Sequence, residues 1–151
     1  MNESEKSKAI EALNKILELE MAGAVRYSHY SLMVYGYNRI PIVDWLRAQA
    51  QESLGHAQRA GELVTALGGH PSLAIGPLLE THKHDVGDIL RESLTHEREG
   101  LEAYRRLLGI AAGKSVLLEE YTRELIAKEE MHVAEVDKML RRPGEIGVFA
   151  G

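Results

Sequence analysis

The sequence of 151 residues contains no cysteine. Disulfide bonds, thiolate metal sites and cysteine-ligated iron-sulfur clusters are therefore excluded, and any bound metal ion must use oxygen and nitrogen ligands. No run of about 18 apolar residues occurs, which is the length that a membrane-spanning helix needs. The first residues are charged and lack the apolar core of a signal peptide, so we expect a cytoplasmic protein with no membrane partner.

The chain also has fewer basic than acidic residues. It has 18 Lys and Arg against 23 Asp and Glu, which gives a formal net charge of -5 at pH 7. No cluster of basic residues accumulates in any segment, and this argues against nucleic acid as the main partner. The hydrophobic share of 44% is ordinary for one domain with a proper core.

Glycine and proline divide the chain into four segments with helical patterning. The predicted helices cover about residues 5–35, 41–67, 85–110 and 115–142, followed by a tail over 143–151. Pro41 suits the first helical position, while Asp85 and Ser115 are predicted N-caps. No alternation of apolar and polar residues is sustained, so no strand is expected. The sequence predicts a single all-α domain, residues 1–151, in which a long connection over residues 68–84 crosses the bundle.

In each predicted helix, positions spaced alternately by three and four residues form one stripe along a single face, and we expect this stripe to be buried. Every stripe is apolar at both ends and polar in the middle. The charged or imidazole residues in the middle are Glu20, His56, Glu97, Glu129 and His132. Because an unpaired carboxylate in an apolar core costs several kcal/mol, these side chains need a partner in the interior.

These polar positions also lie at comparable heights in the bundle. At about 1.5 Å per residue, Glu20 lies roughly 24 Å from the end of its helix and His56 roughly 21 Å from the start of the next. By the same measure Glu97 lies about 17 Å from the end of its helix, and Glu129 about 21 Å from the start of the last. A long crossover would therefore bring three glutamates and two histidines to one layer, where they could hold metal ions.

With these motifs the chain resembles the ferritin-like superfamily, and bacterioferritins in particular, over about residues 8–140. The matching residues are Glu20 with Tyr27, His56-Ala57, Glu97-Arg98-Glu99-Gly100 and Glu129-Glu130-Met131-His132. The resemblance implies a ferritin-like four-helix bundle with a non-haem centre of two irons per chain, which oxidises Fe(II) with O2 or H2O2. It also implies that Tyr27 donates a hydrogen bond to a ligand carboxylate.

One position in the second predicted helix departs from the family pattern. The family has Glu-x-x-His there, but Ser53 stands three residues before His56. A serine hydroxyl is a poor substitute for a bridging carboxylate. Glu52 flanks the stripe and could reach the centre if the helix rotates slightly or carries a π-bulge, whereas Gln49 could offer a neutral oxygen. We favour Glu52, so the predicted metal ligands are Glu20, Glu52, His56, Glu97, Glu129 and His132.

Two further departures concern haem and assembly. Bacterioferritins bind haem through a methionine two residues before the histidine of the second helix, and this chain has Leu54 there. We therefore expect no haem by that route. The tail after Pro143 is shorter than the fifth helix that lines the channels of the family's full cage. This argues against that cage, and we expect a homo-oligomer that is a dimer or a larger shell.

Three functions stay open at this point. The leading hypothesis is oxidation of Fe(II) for iron storage or detoxification. The alternatives are a rubrerythrin-like peroxide reductase or oxidase with an external electron donor, and a non-catalytic metal-binding or structural subunit of a ferritin-like assembly. The native metal is not fixed either, because Mn and Zn accept the same oxygen and nitrogen ligands as iron.

The remaining histidines and the single tryptophan receive less specific predictions. His82 and His84 could form a secondary metal site, but a solvated start of the third helix is favoured. The surface or capping histidines are predicted to be His29, His70 and His96. Trp45 is predicted to pack at an interface and not to act in electron transfer.

Overall fold

A computed structural model describes residues 1–149, so Ala150 and Gly151 of the predicted tail lie outside the described residues. Its four α-helices are α1 (Glu3–Met33), α2 (Arg39–Ala66), α3 (Val86–Ala111) and α4 (Val116–Leu140). The described residues contain no strand, and the prediction of an all-α four-helix bundle is confirmed. None of these helices is both long enough and apolar enough to cross a membrane.

Side-chain caps explain the starts of α1, α3 and α4, whereas Asn38 before α2 makes no capping hydrogen bond within the described residues. α1 begins two residues earlier than predicted because Asn2 and Glu5 form a capping box. The Asn2 side chain accepts a hydrogen bond from the Glu5 amide at 2.8 Å, and the Glu5 carboxylate accepts one from the Asn2 amide at 2.9 Å. Asp85 and Ser115 are confirmed as the N-caps of α3 and α4. Pro41 lies in the first turn of α2 but not at its first position, which costs no hydrogen bond because first-turn amides have no partner within the helix.

The long connection runs from the end of α2 to the start of α3 along the outside of α1. Ser72 donates its backbone amide to the Asn14 side chain at 2.8 Å, and Gly76 donates its amide to the Glu18 carbonyl at 2.9 Å. A Cβ at Gly76 would lie 3.1 Å from that carbonyl oxygen, so the close approach requires glycine. The predicted crossover is therefore present, and it lets the α3–α4 hairpin pack on the α1–α2 hairpin through α1.

The interior has two apolar regions, one on each side of a polar layer. One region contains the buried residues Leu13, Ile16, Leu17, Val64, Tyr104, Leu107, Leu118, Tyr121 and Leu125. The other contains Tyr30, Val34, Val43, Leu46, Ile89, Leu90, Leu94 and Val136. Each fully buried aliphatic side chain contributes about 1.5–3 kcal/mol to folding, and together they fix the four helices around the polar layer.

A buried ion pair ties α1, the crossover and α3 together. Nη2 of Arg26 lies 3.3 Å from Oε1 of Glu92, and the two side chains are only 3% and 6% exposed. The Glu92 carboxylate also accepts hydrogen bonds from the Tyr30 hydroxyl at 2.7 Å and from the Thr81 hydroxyl at 2.8 Å. Arg26 donates in addition to the carbonyl of Leu79 at 2.9 Å. This network holds the end of the crossover against the bundle.

Replacing Glu92 by alanine is expected to lower the free energy of unfolding by about 3–5 kcal/mol, because it leaves the Arg26 charge buried without its partner. Urea denaturation of metal-free protein at fixed concentration measures the change. Glu102→Ala is the matched control, since Glu102 pairs with Arg105 at 2.8 Å on the surface and its side chain is 71% exposed. The control should lose no more than about 1 kcal/mol, and equal losses in both variants would contradict the role of the network.

Candidate metal centre

Three of the residues singled out from the sequence meet in the polar layer. Nδ1 of His56 in α2 lies 3.1 Å from Oε2 of Glu20 in α1 and 3.7 Å from Oε1 of Glu129 in α4. One ligand atom from each of the three residues lies within 4.8 Å of the other two. Glu20 and Glu129 are only 6% and 5% exposed, so three helices direct these groups into the bundle interior.

A second set of polar groups joins α3 and α4 at the same level. Nε2 of His132 lies 3.7 Å from Oε1 of Glu97. The hydroxyl of Tyr27 in α1 donates to the same Glu97 oxygen at 2.7 Å and lies 3.0 Å from Nε2 of His132. The Ser93 hydroxyl is 2.8 Å from the Tyr27 oxygen. Tyr27 therefore fixes the positions of one carboxylate and one imidazole.

Both sets face one small cavity. The cavity is lined by Gln49, Glu52, Ser53, His56, Glu97, Glu129 and His132. The middle parts of α2, α3 and α4 therefore contribute to a single compartment, and Glu20 borders it through its contact with His56. The polar side chains therefore converge in one layer of the bundle interior, as the helix heights predict.

The electrostatics of this compartment suit a cation. Burial raises the pKa of Glu129 far above its usual range, and the neighbouring Glu97 and Glu20 carboxyl groups raise it further. Burial also raises the pKa of Glu20 to about 7, although its hydrogen bond with His56 acts in the opposite direction. Oε2 of Glu129 is buried and has no hydrogen-bond partner among residues 1–149. A metal ion would supply the missing partner and offset the repulsion among the carboxylates, so the residues present fit such an ion.

The side chains of Glu52 and Ser53 differ sharply in their surroundings. Oε1 of Glu52 lies 3.7 Å from Nε2 of His56, and the Glu52 side chain is 50% exposed, so its carboxylate lies at the mouth of the cavity. The Glu52 carboxylate reaches this position from a regular α-helix, and α2 has no π-bulge there. Ser53 is buried against α1, where a Cβ on Gly23 would lie 3.0 Å from its Oγ. A small side chain at position 53 therefore matches the close approach of α1 and α2.

Two neighbours of the site were missed by the sequence reasoning. The Trp45 ring stacks on the His132 ring with centroids 5.9 Å apart and an angle of 4°, so Trp45 shields this imidazole inside the bundle. His96 is 5% exposed, and its prediction as a surface or capping residue is wrong. It lies against Gly23, whose Cβ would come within 3.2 Å of Nε2. Burial lowers the pKa of His96, which favours the neutral ring.

Comparison with known proteins gives consistent matches along nearly the whole chain. A family model described as ferritin-like domain matches residues 10–144. A bacterial non-heme ferritin from Bacteroides fragilis is 24% identical over 143 residues, which cover 91% of this chain and 89% of that protein. A ferritin-like, diiron-carboxylate protein from Bacillus anthracis superposes with a TM-score of 0.87 at 25% identity, covering 93% of this chain and 100% of that one. The bacterioferritin of Desulfovibrio desulfuricans, whose structure shows a diiron site, has a TM-score of 0.80 at 25% identity and coverages of 93% and 82%.

Proposed function

Because this chain belongs to the ferritin-like domain family, whose model matches residues 10–144, we propose that it binds two Fe(II) ions in the polar layer and oxidises them with O2 or H2O2. The biological role would be iron storage or detoxification. The observation that carries the proposal is the buried Glu129 carboxylate. It lies between groups supplied by the other helices, and one of its oxygens has no hydrogen-bond partner in the part of the chain that the structure describes. The similarity to a bacterial non-heme ferritin and to a ferritin-like, diiron-carboxylate protein supports the choice of iron.

The distances suggest how the ligands divide between two ions. Glu20 and His56 would hold one ion, since their nearest atoms are 3.1 Å apart. Glu97 and His132 would hold the other, with nearest atoms 3.7 Å apart. Glu129 would bridge the two, because its carboxylate faces His56 and also adjoins Glu97 in the same cavity. Glu52 would complete the set from the mouth of the cavity.

The residues of the chain bind, orient and shield the substrate ions. Three buried carboxylates balance most of the charge of two divalent ions, and the imidazoles add neutral donors that leave coordination positions open. Tyr27 holds the Glu97 oxygen through its hydroxyl, and Trp45 covers the face of His132. Each bound Fe(II) supplies one electron, so a pair can reduce H2O2 to water when two protons are added.

A second candidate function is a metal-binding subunit without catalysis. The specific observation in its favour is the ligand supply from α2, where Ser53 replaces a carboxylate and Glu52 is half exposed. Under this candidate the centre would hold one ion tightly and would not turn over. The two proposals therefore differ in metal stoichiometry as well as in activity.

Anaerobic titration with Fe(II), followed by addition of O2 or H2O2, tests the proposal. We expect saturation at two Fe(II) ions per chain and rapid formation of Fe(III) when oxidant is added. Ultraviolet absorption measures the Fe(III) formed, and an oxygen electrode measures the O2 consumed. Saturation at one ion without oxidant consumption would favour the second candidate. Absence of binding would contradict both.

Replacing Tyr27 by phenylalanine is expected to weaken iron binding or slow oxidation by about 10–100-fold, as is usual when a group that orients a metal ligand is lost. The ring and its packing stay in place, whereas the hydrogen bond to Glu97 and the contact with His132 disappear. Tyr37→Phe is the matched control because Tyr37 is fully exposed. Equal Fe(II) affinity and equal rates in the two variants would show that Tyr27 does not position the ligands.

A further inference from the structure

A second group of metal-binding side chains lies on the surface, between α1 and the crossover. Nε2 of His29 is 3.0 Å from Oε2 of Glu80, and Nε2 of His84 is 3.6 Å from Oε1 of the same carboxylate. One ligand atom from each of the three residues lies within 4.8 Å of the other two. We propose that His29, Glu80 and His84 form a separate binding site for a divalent transition-metal ion, for which Zn2+ is the probe.

The distances match what a tetrahedral ion requires. With bonds of about 2.0–2.1 Å to nitrogen and oxygen, two ligand atoms on a tetrahedral ion lie roughly 3.4 Å apart. The separations from Glu80 are 3.0 Å from His29 to its Oε2 and 3.6 Å from His84 to its Oε1, so each is near this value, and binding through a single oxygen requires the carboxylate to turn. Two imidazoles and one carboxylate are a ligand set that zinc accepts, with the fourth position left for water. Small side-chain rotations would therefore complete the site.

An ordinary ion pair accounts for only part of this arrangement. His29 and Glu80 form a hydrogen bond at 3.0 Å, but Nε2 of His84 is shielded from solvent and no described residue forms a hydrogen bond with it. Its distance of 3.6 Å from Glu80 is too long for a hydrogen bond. An ion between the three groups would supply a partner for this nitrogen.

The protein holds the crossover part of the site in place by contacts that need no metal. Arg26 donates to the carbonyl of Leu79, the residue before Glu80, at 2.9 Å. Thr81, the residue after Glu80, donates from its hydroxyl to the buried Glu92 carboxylate at 2.8 Å. Glu80 is thus anchored on both sides and presented to His29. The site is largely preformed, and a bound ion would tie the crossover to α1.

The surface site is distinct from the centre in the bundle. His29 follows Glu20 by nine residues in α1, and at about 100° per residue this places the two side chains on opposite faces of the helix. Along the axis the separation is about 13.5 Å. The side chain of His29 is 46% exposed, whereas that of Glu20 is 8% exposed. The inference therefore does not depend on the function proposed for the buried centre.

Equilibrium dialysis against Zn2+ with metal analysis tests the proposal, using wild-type protein, a His29→Ala/His84→Ala double variant and a His70→Ala control. His70 is an exposed histidine of the same connection. Because the ligand types of the buried centre also suit Zn2+, the result to compare is the difference in bound Zn2+ between the proteins. The double variant should bind one Zn2+ fewer per chain than wild type, and the control should bind the same number as wild type. Equal stoichiometry in all three would overturn the proposal.

A conservative variant and an activity assay complete the test. Glu80→Gln keeps the size of the side chain and a hydrogen-bonding oxygen, and its Zn2+ affinity at this site should fall at least about tenfold because the ionised ligand is lost. Circular dichroism confirms that each variant is folded. The double variant should oxidise Fe(II) at the wild-type rate. Unchanged Zn2+ affinity in Glu80→Gln, or slower oxidation in the double variant, would contradict a separate site made by these residues.

Discussion

Replacing Glu129 by alanine is expected to abolish Fe(II) oxidation while the four helices stay folded. Glu129 is the carboxylate that adjoins both halves of the centre: it faces His56 at 3.7 Å and lines the cavity with Glu97 and His132. Losing a group that only orients a ligand costs about 10–100-fold, so losing a bridging ligand should reduce the rate by at least the larger factor. Oxygen consumption after anaerobic loading with Fe(II) measures the loss, and circular dichroism measures the fold.

Glu130→Ala is the matched control for this variant. Glu130 is the next residue in α4, but its side chain is 54% exposed and pairs with Arg105 at 2.9 Å on the surface. It should oxidise Fe(II) at the wild-type rate. Normal oxidation by Glu129→Ala would reject the assignment of this carboxylate as a ligand.

A stability measurement separates loss of metal binding from loss of folding. Glu129→Gln keeps the side-chain volume and removes one of three neighbouring buried acidic groups, so metal-free protein should be at least as stable as wild type. Wild-type protein should gain about 4 kcal/mol when the free metal concentration is 1,000 times its dissociation constant, whereas the variant should gain far less. A lower stability of the metal-free variant would show that Glu129 has a structural partner instead.

Removing the Glu52 carboxylate should have the second largest effect. Glu52→Ala is expected to lower the saturation from two Fe(II) ions to one per chain and to slow oxidation by about tenfold or more. The reason is that Glu52 is the α2 carboxylate that lies beside His56, at 3.7 Å. Gln51→Ala, an exposed neighbour in the same helix, is the control. Anaerobic Fe(II) titration gives the stoichiometry in both.

The neutral ligand considered from the sequence needs its own variant. Gln49 lines the same cavity as Glu52, so Gln49→Ala tests whether its amide oxygen binds the ion instead. Full stoichiometry in Glu52→Ala together with loss of one ion in Gln49→Ala would reverse the assignment. Full stoichiometry in both variants would leave His56 as the ligand that α2 supplies.

Helical periodicity was sufficient to predict the bundle and the convergence of the central polar residues. A strict spacing of three and four residues identifies a single stripe on each helix, and Glu20, His56 and Glu129 lie on those stripes and meet in the structure. The helix starts were less accurate, since the capping box at Asn2 begins α1 earlier than predicted. Capping depends on a few local hydrogen bonds, which a periodic pattern does not register.

Residues outside the single stripe were harder to predict. α3 packs against both α4 and α1, so its buried surface is wider than one stripe and includes His96 and Glu92. The stacking of Trp45 on His132 and the pairing of Arg26 with Glu92 join separate helices, and nothing in the spacing of either helix indicates the partner. Long-range side-chain pairing of this kind depends on the three-dimensional packing.

The surface site also depends on contacts between residues that are far apart in the sequence. The sequence favours a solvated helix start at His84 over a metal ligand, and it predicts a surface or capping role for His29. The two histidines are separated by 54 residues, and nothing in the sequence between them indicates that they are close. The ring centroids of His29 and His84 lie 6.3 Å apart because the crossover runs along α1. Contacts with Arg26 and Glu92 hold the segment around Glu80 in place.

Anomalous X-ray scattering at the iron edge, from crystals loaded with Fe(II) without oxygen, tests the central claim most directly. We predict two iron peaks per chain in the polar layer, one within about 2.0–2.3 Å of Glu20 and His56 ligand atoms and the other at the same distance from Glu97 and His132. Glu129 should contact both. A bundle interior without iron, with the Glu20, Glu97 and Glu129 carboxylates hydrogen-bonded to protein or water alone, would contradict the claim.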